Sequence, residues 1–465
     1  MLLYLLRLPR FNIKRLSRLS RFNSTSIQEF DQDDIIDKDY QALIEQYLPS
    51  NIVHRCFIIH PYVKWGPQKI KDVTLTGQLD EAIALVNSLQ SWKVVDKISV
   101  PLESLDKKSI FGSGTIKKLQ DTIKRNSSLT SIFINMEHLK TSQMEEMEKI
   151  FALPIFDRYN IVLQILRLHA ISKHAKLQVA IAELPYIKSK LKKISSLGTD
   201  YDTRRLILKN REEKLKGAIK KLRSQRELLR NRRIKVSYPV VAVVGYTNAG
   251  KTSLIKSLTG DQKLQPKNQL FATLDVTLHN GVLPSKLEVL YVDTVGFLSQ
   301  IPTGLIECFI ATLEDALLAD LILHVEDLSS PNFTHQRNHV LGTLKALSGK
   351  MGTGNILDKL ISIGNKCDIE HNIDTKKIDD DYLKISTVKE IGIDALRELI
   401  EKLIIKNTNR HVITLNLPIG GDETRWLYKN CTVINVGVDE NNSDHHNVKV
   451  IITSMLLNKF KRQFC

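Results

Sequence analysis

The spacing of apolar and polar residues changes along the chain, and each change marks a different predicted architecture. Over residues 51–156, short apolar runs such as SIFINM (131–136) alternate with helical stretches, which is typical of a small α/β unit. Over 157–235 the strand pattern stops, and two long helical patterns follow, separated by SSLGTDYD (195–202). We therefore expect a helical hairpin after the first α/β unit.

Strand and helix patterns alternate again after residue 237. The apolar runs VVAVV, LEVLYV, LILHV and LISIG alternate with helical segments over 238–406, which predicts a doubly wound parallel sheet. From residue 410 onward, VITLNL, CTVINVGV and VKVIITSML predict a small strand-rich α/β unit. The predicted limits are a leader over 1–28, an N-terminal α/β domain over 45–165, the hairpin over 166–235, the doubly wound domain over 237–406 and a C-terminal α/β domain over 410–465.

The second helix of the hairpin has a narrow apolar stripe and a basic surface. Leucines recur at seven-residue spacing with one isoleucine between them, as packing against an antiparallel neighbour requires: Leu208, Leu215, Leu222, Leu229 and Ile219. From 203 to 235 the chain has fourteen Lys or Arg against three Glu, a net charge of +11. A solvated helix normally mixes signs to gain i,i+4 pairs, so this excess favours phosphate contacts. A merely exposed, acid-poor helix is the alternative.

The N-terminal leader is also basic. Residues 1–28 contain six Lys or Arg, five Ser or Thr and no acid, which is the composition of a mitochondrial transit peptide. A disordered basic arm that binds RNA is the alternative, and a secretory signal is disfavoured because the apolar core is too short. The formal charge of the whole chain is +16, and most of it remains without these residues, so polyanions are favoured partners.

Other features of the composition exclude several classes of protein. No stretch approaches the ~18 apolar residues of a membrane span. The five cysteines are scattered, without a CxxC pair, which favours a reducing compartment and no zinc site. We expect a monomer.

A phosphate-binding motif follows the run VVAVV. GYTNAGKT (245–252) lies between a predicted strand and a predicted helix, which is the context of a P-loop. Glycines let backbone N–H groups converge on phosphates, Lys251 bridges the outer phosphates, and the Thr252 hydroxyl takes one Mg²⁺ position. The predicted phosphate-binding residues are Gly245, Asn248, Ala249, Gly250, Lys251, Thr252 and Ser253.

The tetrapeptide NKCD, from Asn365 to Asp368, selects the base. It ends the run LISIG, 114 residues after the P-loop lysine, where a base lies at the carboxyl edge of such a sheet. The Asp368 carboxylate can accept from N1–H and the 2-amino group of guanine, whereas adenine has neither donor. Lys366 belongs to the same loop, and Ser386 and Thr387 form the expected second base loop, although Thr replaces a more usual Ala. The nucleotide is therefore expected to be GTP or GDP.

Three further residues complete the expected site. Asp293 ends the run LEVLYV, where a carboxylate can hold Mg²⁺ through water, and Gly296 can donate its N–H to the γ-phosphate. Thr273 in LFATLD is the expected switch I hydroxyl that closes over Mg²⁺. The predicted catalytic residues are Lys251, Thr273, Asp293 and Gly296, and the predicted Mg²⁺ ligands are Thr252, Thr273 and Asp293.

The chain resembles the HflX-type GTPases over about residues 112–403. GYTNAGKT, LFATLD, DTVGF and the segment 301–331 are close to that family's motifs, as are FGSGTIKKL (111–119), TSQMEEMEKIF (141–151), FDRYNIVLQIL (156–166) and AKLQVAIAELPY (175–186). The resemblance implies a GTPase that binds the large ribosomal subunit and acts in splitting, rescue or late assembly. Its hairpin would reach rRNA near the peptidyl-transferase centre. Combined with the leader, the chain looks like a mitochondrial matrix member.

The resemblance and the basic helix together suggest which residues contact rRNA. These are Arg204, Arg205, Lys220, Lys221, Arg223, Arg230, Arg232 and Arg233. The family usually has a glycine-rich loop with a Glu-Thr-Asp-Arg-Arg element between the hairpin helices, and only LGTDYDTRR (197–205) remains here. Asp202, Arg204 and Arg205 are the candidates for that element.

Phe297 stands where many GTPases have a glutamine that orients water. A phenyl ring cannot do this, so a slow basal rate and stimulation by the ribosome are expected. The family also has an apolar residue at this position. In related GTPases, an asparagine at the position of Asn248 helps hold K⁺ beside the phosphates, and a turn-forming role is the alternative. Two other functions stay open: a non-hydrolysing GTP-binding RNA scaffold, and a GTPase partner in tRNA modification, for which no cofactor domain is recognisable.

Overall fold

The computed structural model of this 465-residue chain describes most of the polypeptide. The described residues are 40, 44, 52–67, 69, 72–102, 109–191, 199–236, 238–267, 269–274, 276–301, 305, 313–314, 316–352, 355–369, 382–439, 442 and 444–464. The predicted leader over 1–28 lies outside these residues.

Four parallel strands form the N-terminal sheet, in the order β2-β1-β3-β4. Its elements are β1 (His54–Val63), α1 (Leu75–Asn87), β2 (Trp92–Leu102), α2 (Ser113–Arg125), β3 (Ser131–Ile134), α3 (Thr141–Phe151) and β4 (Ile155–Phe156). Phe133 enters the apolar cluster on one face of the sheet, while Ile132 and Ile134 enter the cluster on the other. The uninterrupted apolar run IFI (132–134) is thus that of a strand covered on both faces.

Three helices follow this sheet: α4 (Arg158–His169), α5 (Lys173–Leu191) and α6 (Thr199–Val236). Asp157 caps α4, because its side chain accepts from the backbone N–H of Asn160 at 2.9 Å. Helices α5 and α6 pack along the predicted leucine stripe, in which Leu208 and Leu215 are buried and Leu222 packs against the same core. The long basic helix is therefore held by its apolar stripe.

The predicted boundary of the hairpin turn is wrong. The sequence predicts SSLGTDYD as a loop over 195–202, but α6 already begins at Thr199. Threonine and aspartate are favoured in the first turn of a helix, because they cap free N–H groups and complement the positive end of the helix dipole. Asp202, Arg204 and Arg205 consequently lie on the helix and not in a loop.

Six strands form the central sheet, in the order β10-β9-β8-β5-β7-β6. Strand β6 runs antiparallel to β7, and the other pairs are parallel. The elements are β5 (Val240–Gly245), α7 (Lys251–Thr259), β6 (Thr277–Val282), β7 (Glu288–Asp293), β8 (Leu321–Asp327), α8 (Phe333–Met351), a 3₁₀ turn (Ile356–Lys359), β9 (Leu360–Asn365), β10 (Leu383–Lys384) and α9 (Ile393–Asn407). The doubly wound prediction is confirmed. The carboxyl edge of the sheet, where ligands bind in such folds, carries Gly245, Asp293, Asp327 and Asn365.

The C-terminal unit is a three-stranded antiparallel sheet covered by two helices. Its elements are β11 (Arg410–Pro418), α10 (Asp422–Asn430), β12 (Thr432–Val438), β13 (His445–Thr453) and α11 (Ser454–Phe464), with the sheet order β11-β13-β12. Leu427, Val448 and Phe460 form its core. Ile451 instead joins the core of the central sheet, so this unit packs on the central domain.

One apolar core joins the N-terminal sheet, the hairpin and one face of the central sheet. It contains Phe133, Leu208, Leu215, Val244 and Val292. Shared burial of this kind stabilises the relative placement of the elements, since each square ångström of apolar surface removed from water contributes roughly 25 cal/mol. Within the described residues, no helix is long and apolar enough to cross a bilayer.

Candidate nucleotide site

The P-loop connects β5 to α7 through a left-handed turn. Asn248 and Gly250 have φ angles of +62° and +92°, which asparagine and glycine adopt at low cost. Gly250 has no room for a side chain, because a Cβ there would lie 2.2 Å from Asn365 Nδ2. The P-loop lines one cleft with Thr247, Asn248, Gly250, Lys251, Thr252 and Ser253.

Lys251 is buried under the P-loop. Its Nζ donates to the backbone carbonyl of Tyr246 at 2.8 Å and lies 3.3 Å from that of Gly245. Burial lowers the pKa of Lys251 to about 8, and the Asp293 carboxylate opposes this effect. Phosphate favours the charged ammonium, so a nucleotide bound here raises the proton affinity of Lys251.

The three predicted Mg²⁺ ligands lie together. The hydroxyls of Thr252 and Thr273 donate to Asp293 Oδ2 at 2.7 and 3.1 Å, and the two hydroxyl oxygens are 3.1 Å apart. Asp293 is 1% exposed, and its Oδ1 has no hydrogen-bond partner among the described residues. Burial raises the pKa of Asp293, against the effect of the Thr252 hydroxyl and the Lys251 charge. Carboxylate and hydroxyl oxygens suit Mg²⁺, and a buried carboxylate oxygen without a partner is a group that such an ion would satisfy.

The segment from Gly296 onward, which we call switch II, begins directly against the P-loop. A Cβ at Gly296 would lie 2.8 Å from Thr247 Cα and 3.0 Å from Lys251 Nζ, so only glycine fits there. Phe297 is 8% exposed and belongs to the apolar core. Phe297 also lines a small cavity, together with Phe271, Val295, Leu298, Ile301 and Leu313. Its apolar ring cannot orient a water molecule.

Asn365 joins the predicted base loops to the P-loop. Its Nδ2 donates to the carbonyl of Ala249 at 2.9 Å, and its Oδ1 accepts from the backbone N–H of Thr387 at 3.2 Å. Asn365 is fully buried, so water does not compete for these bonds. The phosphate and base regions of the site are therefore held in one geometry.

The remaining base-loop residues lie beside Asn365. A hydrogen bond from Ser386 lowers the pKa of Asp368, and the charged carboxylate has oxygens that could accept from guanine. Lys366 has a φ angle of +64°, and its Nζ donates to Asp327 Oδ2 at 2.6 Å. The sequence did not identify Asp327 as a partner of the base loop, although Asp327 ends an apolar strand just as Asp293 does.

The predicted RNA-contacting residues lie along α6, and none of them lines the phosphate cleft. The side chains of Arg205, Lys220 and Lys221 are exposed, and Arg204 is half-buried. The side chains of Arg223, Arg230, Arg232 and Arg233 fall outside the described part of the chain. Arg211 differs from the expected surface cation: it is 2% exposed and lies over the Tyr40 ring, with its guanidinium carbon 5.1 Å from the ring centroid.

A P-loop, a buried cluster of two hydroxyls and a carboxylate, and an Asn-Lys-Cys-Asp loop at one sheet edge are the arrangement of a P-loop GTP-binding protein. Residues 240–356 match the family described as 50S ribosome-binding GTPase. Residues 76–166 match the family described as GTP-binding GTPase N-terminal.

Whole-chain similarity identifies the family. The chain is 42% identical over 428 residues to putative GTP-binding protein 6 of Xenopus laevis, covering 89% of this chain and 80% of that protein. It is 35% identical over 331 residues to GTPase HflX of Caldanaerobacter subterraneus, covering 68% and 74%. It is 31% identical over 406 residues to a chloroplastic GTP-binding protein of Arabidopsis thaliana, covering 74% and 64%. The chain belongs to the HflX family of GTPases, as its motifs indicated.

Proposed function

We propose that this protein hydrolyses GTP and binds the large subunit of the mitochondrial ribosome, in ribosome assembly, splitting or recycling. The observation that carries the proposal is the basic helix α6, which shares one apolar core with the GTP-binding domain. A long cationic helix that packs against a GTP-binding domain suits a factor whose affinity for RNA changes with the bound nucleotide. The description of the matched family as 50S ribosome-binding agrees with it.

The charge on α6 supports contacts to phosphates. Lys220 and Lys221 are adjacent and exposed. Glu212, one of the three glutamates of the helix, forms ion pairs with Lys188 and, at 2.7 Å, with Lys216. This carboxylate is therefore already paired with two other lysines of the hairpin. Cations of this kind bind RNA by displacing condensed counterions from its phosphates.

The site residues have distinct proposed roles in GTP hydrolysis. Thr252, Thr273 and Asp293 would hold Mg²⁺, which supplies charge neutralisation at the β- and γ-phosphates. Lys251 binds the outer phosphates, and the Gly296 N–H donates to the γ-phosphate. Because Phe297 packs in the core, the basal rate is slow, and the ribosome supplies groups that complete the site. We also propose that Asn248 helps hold K⁺ beside the phosphates.

The proposed location is the mitochondrial matrix, where the protein acts as a monomer. The basic leader supports import, and the Arabidopsis relative's name also places it in an organelle. Sequencing the N-terminus of the mature protein tests this, with cleavage expected at the end of the leader. Recovery of a chain that begins at Met1 from cytosol alone would contradict mitochondrial import.

Single-turnover GTP hydrolysis with and without purified large subunits tests the proposed activity. We expect weak hydrolysis alone and strong acceleration by large subunits but not by small subunits. Stable GTP binding with no hydrolysis in either case would identify an RNA scaffold. Acceleration by a tRNA-modifying enzyme in place of the subunit would identify the other alternative.

A further inference from the structure

Arg158, the first residue of α4, links the N-terminal domain to switch II. Its Nη2 donates to the backbone carbonyl of Ser299 at 2.9 Å and to Glu81 Oε1 at 2.6 Å, and its Nη1 donates to Asn135 Oδ1 at 2.9 Å. Arg158 is only 2% exposed. A buried guanidinium with acceptors in three directions is held in one orientation.

The second carboxylate oxygen of Glu81 connects Arg158 to the P-loop. We call Arg158, Glu81, Tyr246 and Ser299 the arginine cluster. The Tyr246 hydroxyl donates to Glu81 Oε2 at 2.7 Å. The Ser299 backbone N–H donates to the Tyr246 oxygen at 2.8 Å, and Ser299 Oγ lies 2.9 Å from the same oxygen. Burial raises the pKa of Tyr246, so the phenol keeps the proton that it donates. The N–H, the C=O and the hydroxyl of Ser299 are thus all bonded to Tyr246 or Arg158.

Ser299 lies three residues after Gly296, the expected γ-phosphate donor. Between them, the Phe297 backbone N–H donates to the Gly245 carbonyl at 3.0 Å, and the Thr247 backbone N–H donates to the Phe297 carbonyl at 2.7 Å. The backbone of switch II is therefore fixed on both sides of Phe297. This arrangement keeps Gly296 beside the P-loop lysine.

The other end of α4 contacts switch I. His169, its last residue, has Nδ1 2.8 Å from the carbonyl of Phe271, two residues before Thr273. Gln269 Nε2 also lies 3.3 Å from His169 Nε2. At 1.5 Å per residue, α4 spans about 16 Å between these contacts. A single helix thus touches the segments that carry both expected switch residues.

The same helix leads directly into the hairpin. Only residues 170–172 separate α4 from α5. The Tyr159 hydroxyl, next to Arg158, donates to the carbonyl of Ala182 in α5 at 2.6 Å. Movement of the hairpin would therefore displace α4. The sequence motif FDRYN (156–160) supplies the helix cap, the contact to switch II and the contact to the hairpin.

We propose that Arg158 and Glu81 are positioning residues for GTP hydrolysis. Through Ser299 they hold the Gly296 N–H where it meets the γ-phosphate, and α4 connects this position to switch I. The inference rests on the proposed hydrolysis of GTP but needs no ribosome. GDP lacks the γ-phosphate, so the positioning acts on GTP and on the rate, and it leaves GDP binding unchanged.

A merely structural contact between two domains predicts a different result. Loss of such a contact lowers stability and weakens GDP and GTP alike. Positioning predicts selective loss of GTP binding and of the rate. The comparison of the two nucleotides therefore separates the two roles.

The test uses the full chain without ribosomes. Arg158→Gln and Tyr246→Phe each remove hydrogen bonds among Arg158, Glu81, Tyr246 and Ser299. Tyr246→Phe keeps the buried ring, so it can be measured even if Arg158→Gln does not fold. The readouts are the Kd for GDP, the Kd for a non-hydrolysable GTP analogue, and the single-turnover rate. We expect unchanged GDP affinity, weaker binding of the analogue, and a rate reduced by about ten- to a hundredfold. Arg158→Lys, which keeps the charge, recovers part of the rate.

Arg167→Gln is the matched control, because the half-buried Arg167 of α4 forms an ion pair, at 3.0 Å, with the buried Glu183 of α5. It should change neither nucleotide preference nor rate. Equal losses for both nucleotides, or no loss in a folded Tyr246→Phe variant, would overturn the inference. If the unmutated protein does not hydrolyse GTP, the proposed function fails, and the ratio of analogue to GDP affinity still decides the positioning role.

Discussion

Thr247 of the P-loop donates its backbone N–H to the backbone carbonyl of Phe297 at 2.7 Å. This bond, with the one from the Phe297 N–H to Gly245, joins the start of switch II to the P-loop through main-chain atoms. The Phe297 side chain is 8% exposed, belongs to the apolar core and takes no part in these bonds. The residue at this position therefore anchors the switch, whereas a glutamine in other GTPases orients water.

This anchoring role predicts that Phe297→Gln does not speed GTP hydrolysis. The amide would replace the ring in the apolar core, where a lost aromatic ring and a buried polar group together cost about 3 kcal/mol or more. We expect a lower thermal unfolding temperature and an equal or slower single-turnover rate. Phe297→Leu is the control, because it keeps an apolar anchor and should cost less stability. A glutamine variant faster than the unmutated protein would show that the switch can present this side chain to water.

Asp368→Asn should change the preferred base from guanine to xanthine. The carboxylate accepts from two guanine donors, whereas an asparagine amide can donate to the 2-oxo group of xanthine. Equilibrium binding of GDP and xanthosine diphosphate measures the change. Asp358→Asn, an exposed change in the 3₁₀ turn before β9, is the matched control. Equal binding of ATP and GTP by the unmutated protein would remove Asp368 from base recognition.

The basic helix should bind rRNA mainly through phosphates. Replacing Lys220, Lys221 and Arg223 by glutamine removes up to three phosphate contacts, so the affinity falls and the slope of log K against log salt decreases by about one per contact. Titration of large subunits at several salt concentrations measures both quantities.

The matched control for the helix removes three cations from the central domain instead. Lys345, Lys350 and Lys402 are exposed on α8 and α9, and their replacement by glutamine lowers the net charge equally. This control should keep the affinity and the salt slope. Equal behaviour of the two triple variants would mean that only overall charge matters, and that α6 is simply a solvated helix.

The lowered pKa of Lys251 predicts that nucleotide binding depends on pH. Its pKa is lowered to about 8 by burial, so the free protein loses this proton as the pH rises through that value. Phosphates favour the ammonium form, and binding above this pH takes up a proton. The affinity for GDP should therefore fall by about three- to fourfold from pH 7 to pH 8.5. Calorimetry in two buffers with different ionisation enthalpies measures proton uptake, which should vanish in Lys251→Arg. Uptake that persists in the arginine variant would come from another group.

Local patterns in the sequence predicted much of the fold and of the phosphate site. Seven-residue spacing identified Leu208 and Leu215 as buried, because the period of a helix determines which residues share a face. Asp293 was recognisable because strand ends converge at one edge of a parallel sheet. The structure places it with Thr252 and Thr273, as the spacing of the motifs suggested.

Contacts between distant segments could not be predicted in this way. Arg158 is 141 residues from Ser299, and Glu81 is 165 residues from Tyr246, so no local period links them. Arg211 is one of the many cations of α6 and has no local pattern that sets it apart, yet it is buried and lies against the Tyr40 ring. Such placements depend on how whole elements pack, which a single sequence does not encode in any short window.

Asn248 provides the last prediction, which concerns a monovalent cation. It lies in the phosphate cleft with an exposed side chain, and its amide oxygen is a ligand that K⁺ accepts. A cation held there stabilises the negative charge that develops on the phosphate oxygens in the transition state, which is part of what an arginine finger does. We expect hydrolysis to slow several-fold when Na⁺ replaces K⁺, and Asn248→Ala to abolish that difference while GDP still binds.

The positive φ of Asn248 requires a second variant, because alanine is strained at +62° and could lower the rate by distorting the turn. Asn248→Gly adopts this angle freely but offers no amide oxygen. If the oxygen holds K⁺, the glycine variant hydrolyses GTP slowly and equally in both salts. If the residue only forms the turn, the glycine variant keeps the unmutated rate. Single-turnover measurements in K⁺ and in Na⁺ at equal ionic strength distinguish the two outcomes, and an unmutated protein indifferent to the cation would remove K⁺ from the mechanism.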